Sequence, residues 1–256
     1  MDEISGNTQE RFFIVCAGRT GSTLLAATLG DAGAEFAMPV LDDWSTGTGD
    51  MEHQAIQRAT HHLYQAYRIC PEKPLGRIQR YRWDLHRHHA KKKIKGILKQ
   101  ARYVKSDNLD LAVHPSFQQG YFPRVILNYR QFEHHAISLF QMRGHSSIDW
   151  LSDIYCRVYR NGLALLFLYG GCVVPYNDLV DTGHDGWAEA LEGVTGLSAG
   201  TILESRAKRS KGGGEAAEYP VMDRAGRELF EAMEGLKGRV IPASPQALRS
   251  WRARKS

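Results

Sequence analysis

The chain has 256 residues, 43% of them hydrophobic, and a formal net charge of +5. That length and composition suit one large globular domain or two small ones and exclude a wholly disordered or fibrous protein. No apolar run reaches the roughly 18–20 residues that a membrane-spanning helix needs; the nearest, Leu163 to Tyr176, is shorter and is broken by Gly170-Gly171.

Residues 1–10 are polar and carry acids, so a flexible N-terminus is expected rather than a signal peptide. An apolar run over 11–17 predicts the first strand, and Leu24, Leu25 and Leu29 mark one face of a first helix over about 21–32. Between them lies a tight turn rich in Gly and hydroxyl residues, Gly18-Arg19-Thr20-Gly21-Ser22-Thr23. Such a corner aims free backbone N–H groups and the positive end of a helix dipole at one spot, where phosphate or sulfate binds. Arg19 adds a charge there, and Ser22 and Thr23 add hydroxyl donors. The turn departs from the nucleotide-binding pattern G-x-x-x-x-G-K-[ST]. Cys16 stands for the first Gly and Ser22 for the Lys that grips the β- and γ-phosphates. An anion other than the end of a triphosphate is therefore expected.

Residues 33–50 are rich in Gly and Asp, with turns expected at Met38-Pro39 and over 46–49. A helix over 51–69 ends before Pro71 and Pro74, and helical pattern returns over 86–100. A short strand over 101–105 follows, then a helix opening near Pro115. The run 124–129 reads as a buried strand, 132–143 and 147–168 as helices, and 171–176 as another strand. Trp187 to Thr195 reads as a helix stopped by Gly196. A basic, Gly-rich loop over 205–218, a helix over 223–236 and a basic tail close the chain.

Charge is uneven. From Arg77 to Lys105 eleven Lys or Arg stand against the single acid Asp84, net +10. That segment reads either as a solvated helix face or as a surface for an anionic substrate or partner. The four cysteines show no C-x-x-C spacing, which fits a reduced, cytoplasmic setting. No His pair has a third ligand at metal-binding spacing, so no metal is expected.

Continuous apolar strands alternating with helices predict an α/β, three-layer sandwich with a central, mostly parallel sheet. Ligands bind such sheets at the carboxyl ends of strands. Three further polar groups stand at those ends: Lys105-Ser106-Asp107, then Arg130 with Ser138, then Tyr176-Asn177-Asp178-Leu179. With the Arg19 turn, this order resembles the PAPS-dependent sulfotransferases from about residue 12 to 215. It combines features of the cytosolic enzymes and of the bacterial trehalose-type group.

The resemblance implies a P-loop NTPase-like sulfotransferase fold, with a domain over 11–240 and a basic C-terminal tail over 241–256. It implies transfer of a sulfuryl group from 3′-phosphoadenosine-5′-phosphosulfate (PAPS) to a hydroxyl or amine of a small-molecule or sugar acceptor, with PAP released. Arg19, Thr20, Gly21, Ser22, Thr23 and Leu24 would hold the 5′-phosphosulfate. Arg130 and Ser138 would hold the 3′-phosphate, and Tyr176 would lie near the adenine. Arg206, Lys208 and Arg209 correspond to a loop that closes over the 3′-phosphate. Lys105 and Arg19 would neutralise the leaving oxygen, and Asp107 stands where the cytosolic enzymes carry a His base. Asp42 or Asp43 is a second candidate base, by loose likeness to the carbohydrate sulfotransferases. The basic segment 77–105 would face an acceptor that is itself anionic. Two rival readings remain at this stage: a small-molecule kinase of unusual loop sequence, and a non-enzymatic binder of nucleic acid or anionic membrane through residues 77–105.

Overall fold

The computed structural model describes residues 9–36, 54–69, 76–143, 147–181, 183–209 and 224–255. Among these residues five strands form one sheet: β1 (Glu10–Val15), β2 (Tyr103–Lys105), β3 (Phe122–Tyr129), β4 (Gly171–Pro175) and β5 (Val240–Ile241). Their order is β2-β1-β3-β4-β5, and every pairing is parallel except that of β5 with β4. In register, Phe13 lies beside Val104 and Val125, and Leu127 beside Val15 and Val173. All six residues of β1 are buried, so Phe12 to Val15 run apolar without alternation, while buried Glu10 at its start pairs with Arg124 of β3.

Among the described residues the helices are α1 (Ser22–Asp31), α2 (Gln54–Ile69), α3 (Arg77–Leu98), α4 (Asp110–Gln118), α5 (Phe132–Arg143), α6 (Ile148–Tyr169), α7 (Tyr176–Val180), α8 (Gly186–Thr195), α9 (Ala199–Arg209), α10 (Arg224–Glu234) and α11 (Pro245–Lys255). The pleat sends successive side chains of β1 to opposite faces. Phe12 and Ile14 pack with Leu25 and Leu29 of α1, Trp187 and Leu191 of α8 and Ile202 of α9. Phe13 and Val15 pack with Leu63 of α2, Ile94 of α3, Phe117 of α4, Phe132 of α5, Tyr155 of α6, Met233 of α10 and Trp251 of α11. The sheet is thus α/β, mostly parallel, and covered by helices on both faces, as the strand pattern predicts.

Several boundaries differ from expectation. α3 begins at Arg77 rather than near 86, because its first turns need no apolar face: residues 77–89 are all exposed or partly exposed. Residues 205–209 continue α9 instead of opening a loop. The last segment is no simple tail. Val240 and Ile241 pair with β4, and α11 buries Ala247 and Trp251. Residues 1–8 and most of the Gly-rich stretch after Phe36, Asp42 and Asp43 included, lie outside the described residues.

Candidate functional site

The chain leaves β1 toward β2 on one side and returns to β3 on the other, so the carboxyl end of β1 is the point where strand order reverses. A cleft of about 560 Å³ opens there. It is lined by Arg19, Gly21, Ser22, Thr23, Leu24, Lys105, Asp107, Arg130, Ser138 and Tyr176, residues drawn from four separate segments of the chain. Ten of the candidate residues named from the sequence therefore converge on one space.

The turn after β1 is built for close approach. Gly18 and Gly21 take φ of 81° and 78°. A Cβ on Gly21 would lie 2.3 Å from the Tyr176 ring, so that ring sits directly on the backbone at the start of α1. A Cβ on Gly18 would lie 3.4 Å from Asp107 Oδ1, which places the carboxylate over the turn. The N-cap of α1 is Gly21, without a side-chain cap, and the first turn carries no acid. Its leading N–H groups thus have no capping side chain and no acid of the helix's own first turn. Among the described residues the non-glycine positions with positive φ are Arg19 (46°) and Asn108 (55°), and both line the cleft. Such strain, about 1 kcal/mol or more each, collects where a site over-determines the backbone.

Two struts, neither visible from the motif, hold the turn from behind. Thr20 is fully buried, and its hydroxyl donates to Asn128 Oδ1 at 2.9 Å. Asn128 in turn donates to the Val174 carbonyl at 3.1 Å, so one side chain near the carboxyl end of β3 ties the turn to β4. Thr20 is a support for the turn, not a wall of the cleft. The second strut is His135 of α5, whose Nδ1 donates to the Gly18 carbonyl at 2.9 Å. Burial pushes the His135 pKa down to about 4, so the imidazole is neutral at pH 7. Asn128 carries a signal in sequence, a lone amide inside Val125-Ile126-Leu127-Asn128-Tyr129; His135 carries none that separates it from its neighbour His134.

The charged groups are arranged in contact. Lys105, 4% exposed, donates from Nζ to Thr23 Oγ1 at 3.0 Å. Arg19 is exposed and donates from Nε to Ser138 Oγ at 3.1 Å. The Arg130 guanidinium lies 4.2 Å from the centre of the Tyr176 ring, a stacking that fixes both. Its backbone carbonyl accepts from the Tyr155 hydroxyl at 3.0 Å. Cys16 lies at the floor, its thiol pushed up in pKa by burial and, next, by the Asp107 charge.

The opposite wall comes from α2 and α6: His61, Tyr64 and Gln65, then Trp150, Ile154 and Val158. It is mixed aromatic, apolar and amide in character. No residue of α3 lines the cleft. Of the basic segment 77–105 only Lys105 reaches the cleft; α3 packs on α2, whose His61, Tyr64 and Gln65 form that wall, with Ala59 and Leu63 of α2 and Ala90 and Ile94 of α3 buried in one core.

Arg206 also stands apart. It is 5% exposed on α9 and donates to Asp185 Oδ1 at 3.1 Å and to the Asp181 carbonyl at 3.2 Å, so it clamps the α7–α8 connection. The side chains of Lys208 and Arg209, like residues 210–223, lie outside the described residues. Comparison with protein-family models, with curated proteins and with solved structures returns no match for this chain.

Proposed function

We propose that the protein is a sulfotransferase that moves a sulfuryl group from PAPS to a hydroxyl or amine of a small acceptor and releases PAP. One observation carries the reading: a capless helix N-terminus, Lys105, Asp107, Arg130 and Ser138, far apart in the sequence, line one cleft at the switch point of the sheet. A cofactor with an anionic group at each end of a ribose needs two separate cationic seats. The corner with Lys105 supplies one, and Arg130 with Ser138 the other.

In this reading the acceptor lies against α2 and α6 and attacks sulfur in line with the departing 5′-phosphate oxygen. The S–O bond (S–N for an amine) to the acceptor forms as the S–O bond to PAP breaks. Lys105, already bonded to Thr23 at the head of α1, is placed to meet the charge that develops on the leaving oxygen. Asp107 at the rim of the turn takes the acceptor's proton. Arg19 must turn away from Ser138 when the two ends of the cofactor are occupied; its exposed side chain permits that.

Calorimetric titration with PAP tests the reading. Binding is expected for the wild type, with a loss of about 2 kcal/mol or more in Arg130→Ala, since charge-assisted bonds to phosphate are among the stronger ones. No binding of PAP, or equal binding by Arg130→Ala, overturns it. Binding of ATP with Mg²⁺ but not of PAP would instead favour the kinase.

A further inference from the structure

The basic helix that the cleft does not use still needs an explanation. α3 carries eight Lys or Arg against Asp84. Its buried residues are Ala90, Ile94, Ile97 and Leu98. At about 3.6 residues per turn, Ile78, Tyr81 and Leu85 fall on one stripe, and that stripe lies opposite the buried face. The exposures agree: Ile78 is 78%, Tyr81 68% and Leu85 41% exposed. Three large apolar side chains thus point straight into solvent from a cationic helix.

The same stripe runs on through Lys92 to Gly96. There a shallow basin of about 530 Å³ is lined by Ala55, His89, Lys92, Lys93, Gly96 and Ile97, among others. Exposed Arg77 and Lys95 flank the stripe on one side and exposed Arg82 on the other, and exposed Lys92 lies on it. We propose that the outward face of α3 is an interfacial membrane-binding surface for an anionic phospholipid bilayer. Ile78, Tyr81 and Leu85 enter the headgroup layer, and the flanking cations, with the His89–Lys92–Lys93 basin, take lipid phosphates.

The distribution of side chains argues for lipid over nucleic acid. A single strand would need exposed aromatic planes. Trp83, the larger ring of this helix, lies on the other side, half-buried with the Arg87 guanidinium 4.3 Å from its ring centre. The outward stripe offers one aromatic plane, Tyr81, beside Ile78 and Leu85, which stack no base but gain free energy on leaving water. An apolar stripe between rows of cations is the pattern of a helix lying in a bilayer surface. The proposal is independent of what the cleft holds.

Co-sedimentation of the full chain with vesicles tests it. Phosphatidylcholine vesicles containing about one third phosphatidylglycerol should retain the protein at low salt, and pure phosphatidylcholine should not. The triple variant Ile78→Ser, Tyr81→Ser, Leu85→Ser keeps every charge and should lose about tenfold in partitioning. Neutralising Arg77, Arg82 and Lys92 to Gln should cost roughly a hundredfold. Ile78→Lys separates insertion from simple attraction: it weakens binding if the apolar stripe enters the bilayer and tightens it if charge alone acts. All these positions are exposed, so melting temperatures should stay at the wild-type value; should the triple variant melt low, Ile78→Lys decides. No retention on anionic vesicles overturns the proposal. So does tighter binding by Ile78→Lys, or retention of a thymidine oligonucleotide in place of the vesicles.

Discussion

At Gly21 two requirements fall on one atom position. The backbone needs φ of 78°, and the Tyr176 ring occupies the space a Cβ would take. Gly21→Ala is expected to push Tyr176 off the turn and to loosen the Arg130 guanidinium that stacks on it. Melting temperature should fall by an amount corresponding to about 2–4 kcal/mol, and PAP binding should weaken with it. Equal stability in a urea titration would show that the ring does not rest on this backbone.

His135 makes a pH-dependent prediction at the same scale. Its pKa is about 4 folded against an ordinary 6.5, so between those values the unfolded chain binds more protons. Stability supplied by the neutral ring is complete above pH 6.5 and is lost as pH falls toward 4, about 3 kcal/mol in all. Glu10 and Asp110, whose pKa values burial raises, act in the opposite sense. The difference between wild type and His135→Asn isolates the histidine, because an Asn amide can still donate to the Gly18 carbonyl. The variant's pH–stability curve should be flatter below pH 6.5; parallel curves would remove His135 as the titrating support of the turn.

Among elements, α11 shows how a helix hides in a basic sequence. Arg249, Arg252, Arg254 and Lys255 make the segment look solvated, yet Trp251 is 4% exposed, with ring centres 5.9 Å from Phe117 and 5.5 Å from Phe122. Its start was legible after all. Ser244 accepts from the Ala247 N–H at 3.1 Å, and Pro245 occupies the first helical position, a cap signature that the charge count obscured. Trp251→Ala should cost about 3–5 kcal/mol in chemical denaturation. A change below 1 kcal/mol would mean that the helix is only loosely attached.

For the molecule as a whole, the wall of the cleft opposite the turn is held by Arg157 of α6. It pairs with buried Asp110 at 2.8 Å, donates to Asn108 as well, and lies 5.6 Å and 5.5 Å from the ring centres of Tyr64 and Tyr67 on α2. One guanidinium thus joins α2, α6 and the segment after β2. Arg157→Met would leave Asp110 buried without its cation, and a loss of about 3–5 kcal/mol is expected in urea titrations. A stability near that of wild type would show that Asp110 takes up a proton at little expense.

The alternation of apolar strands with helices, the glycine-bearing corner and the polar groups just beyond each strand were all readable along the chain. Each depends on residues within a few positions of one another, which is the range over which backbone sterics and helix periodicity act. The sequence alone therefore determined a parallel α/β sheet and located Arg19, Lys105, Asp107, Arg130, Ser138 and Tyr176. Only the tertiary structure decided that these share one cleft, that Asn128 and His135 brace the turn, that Arg206 belongs to a clamp elsewhere, and that α3 packs on α2 with none of its cations lining the cleft. Those outcomes join positions far apart in the chain, Gly18 and His135 by 117 residues, and no local periodicity encodes which buried side chain will meet which carbonyl once the sheet has closed.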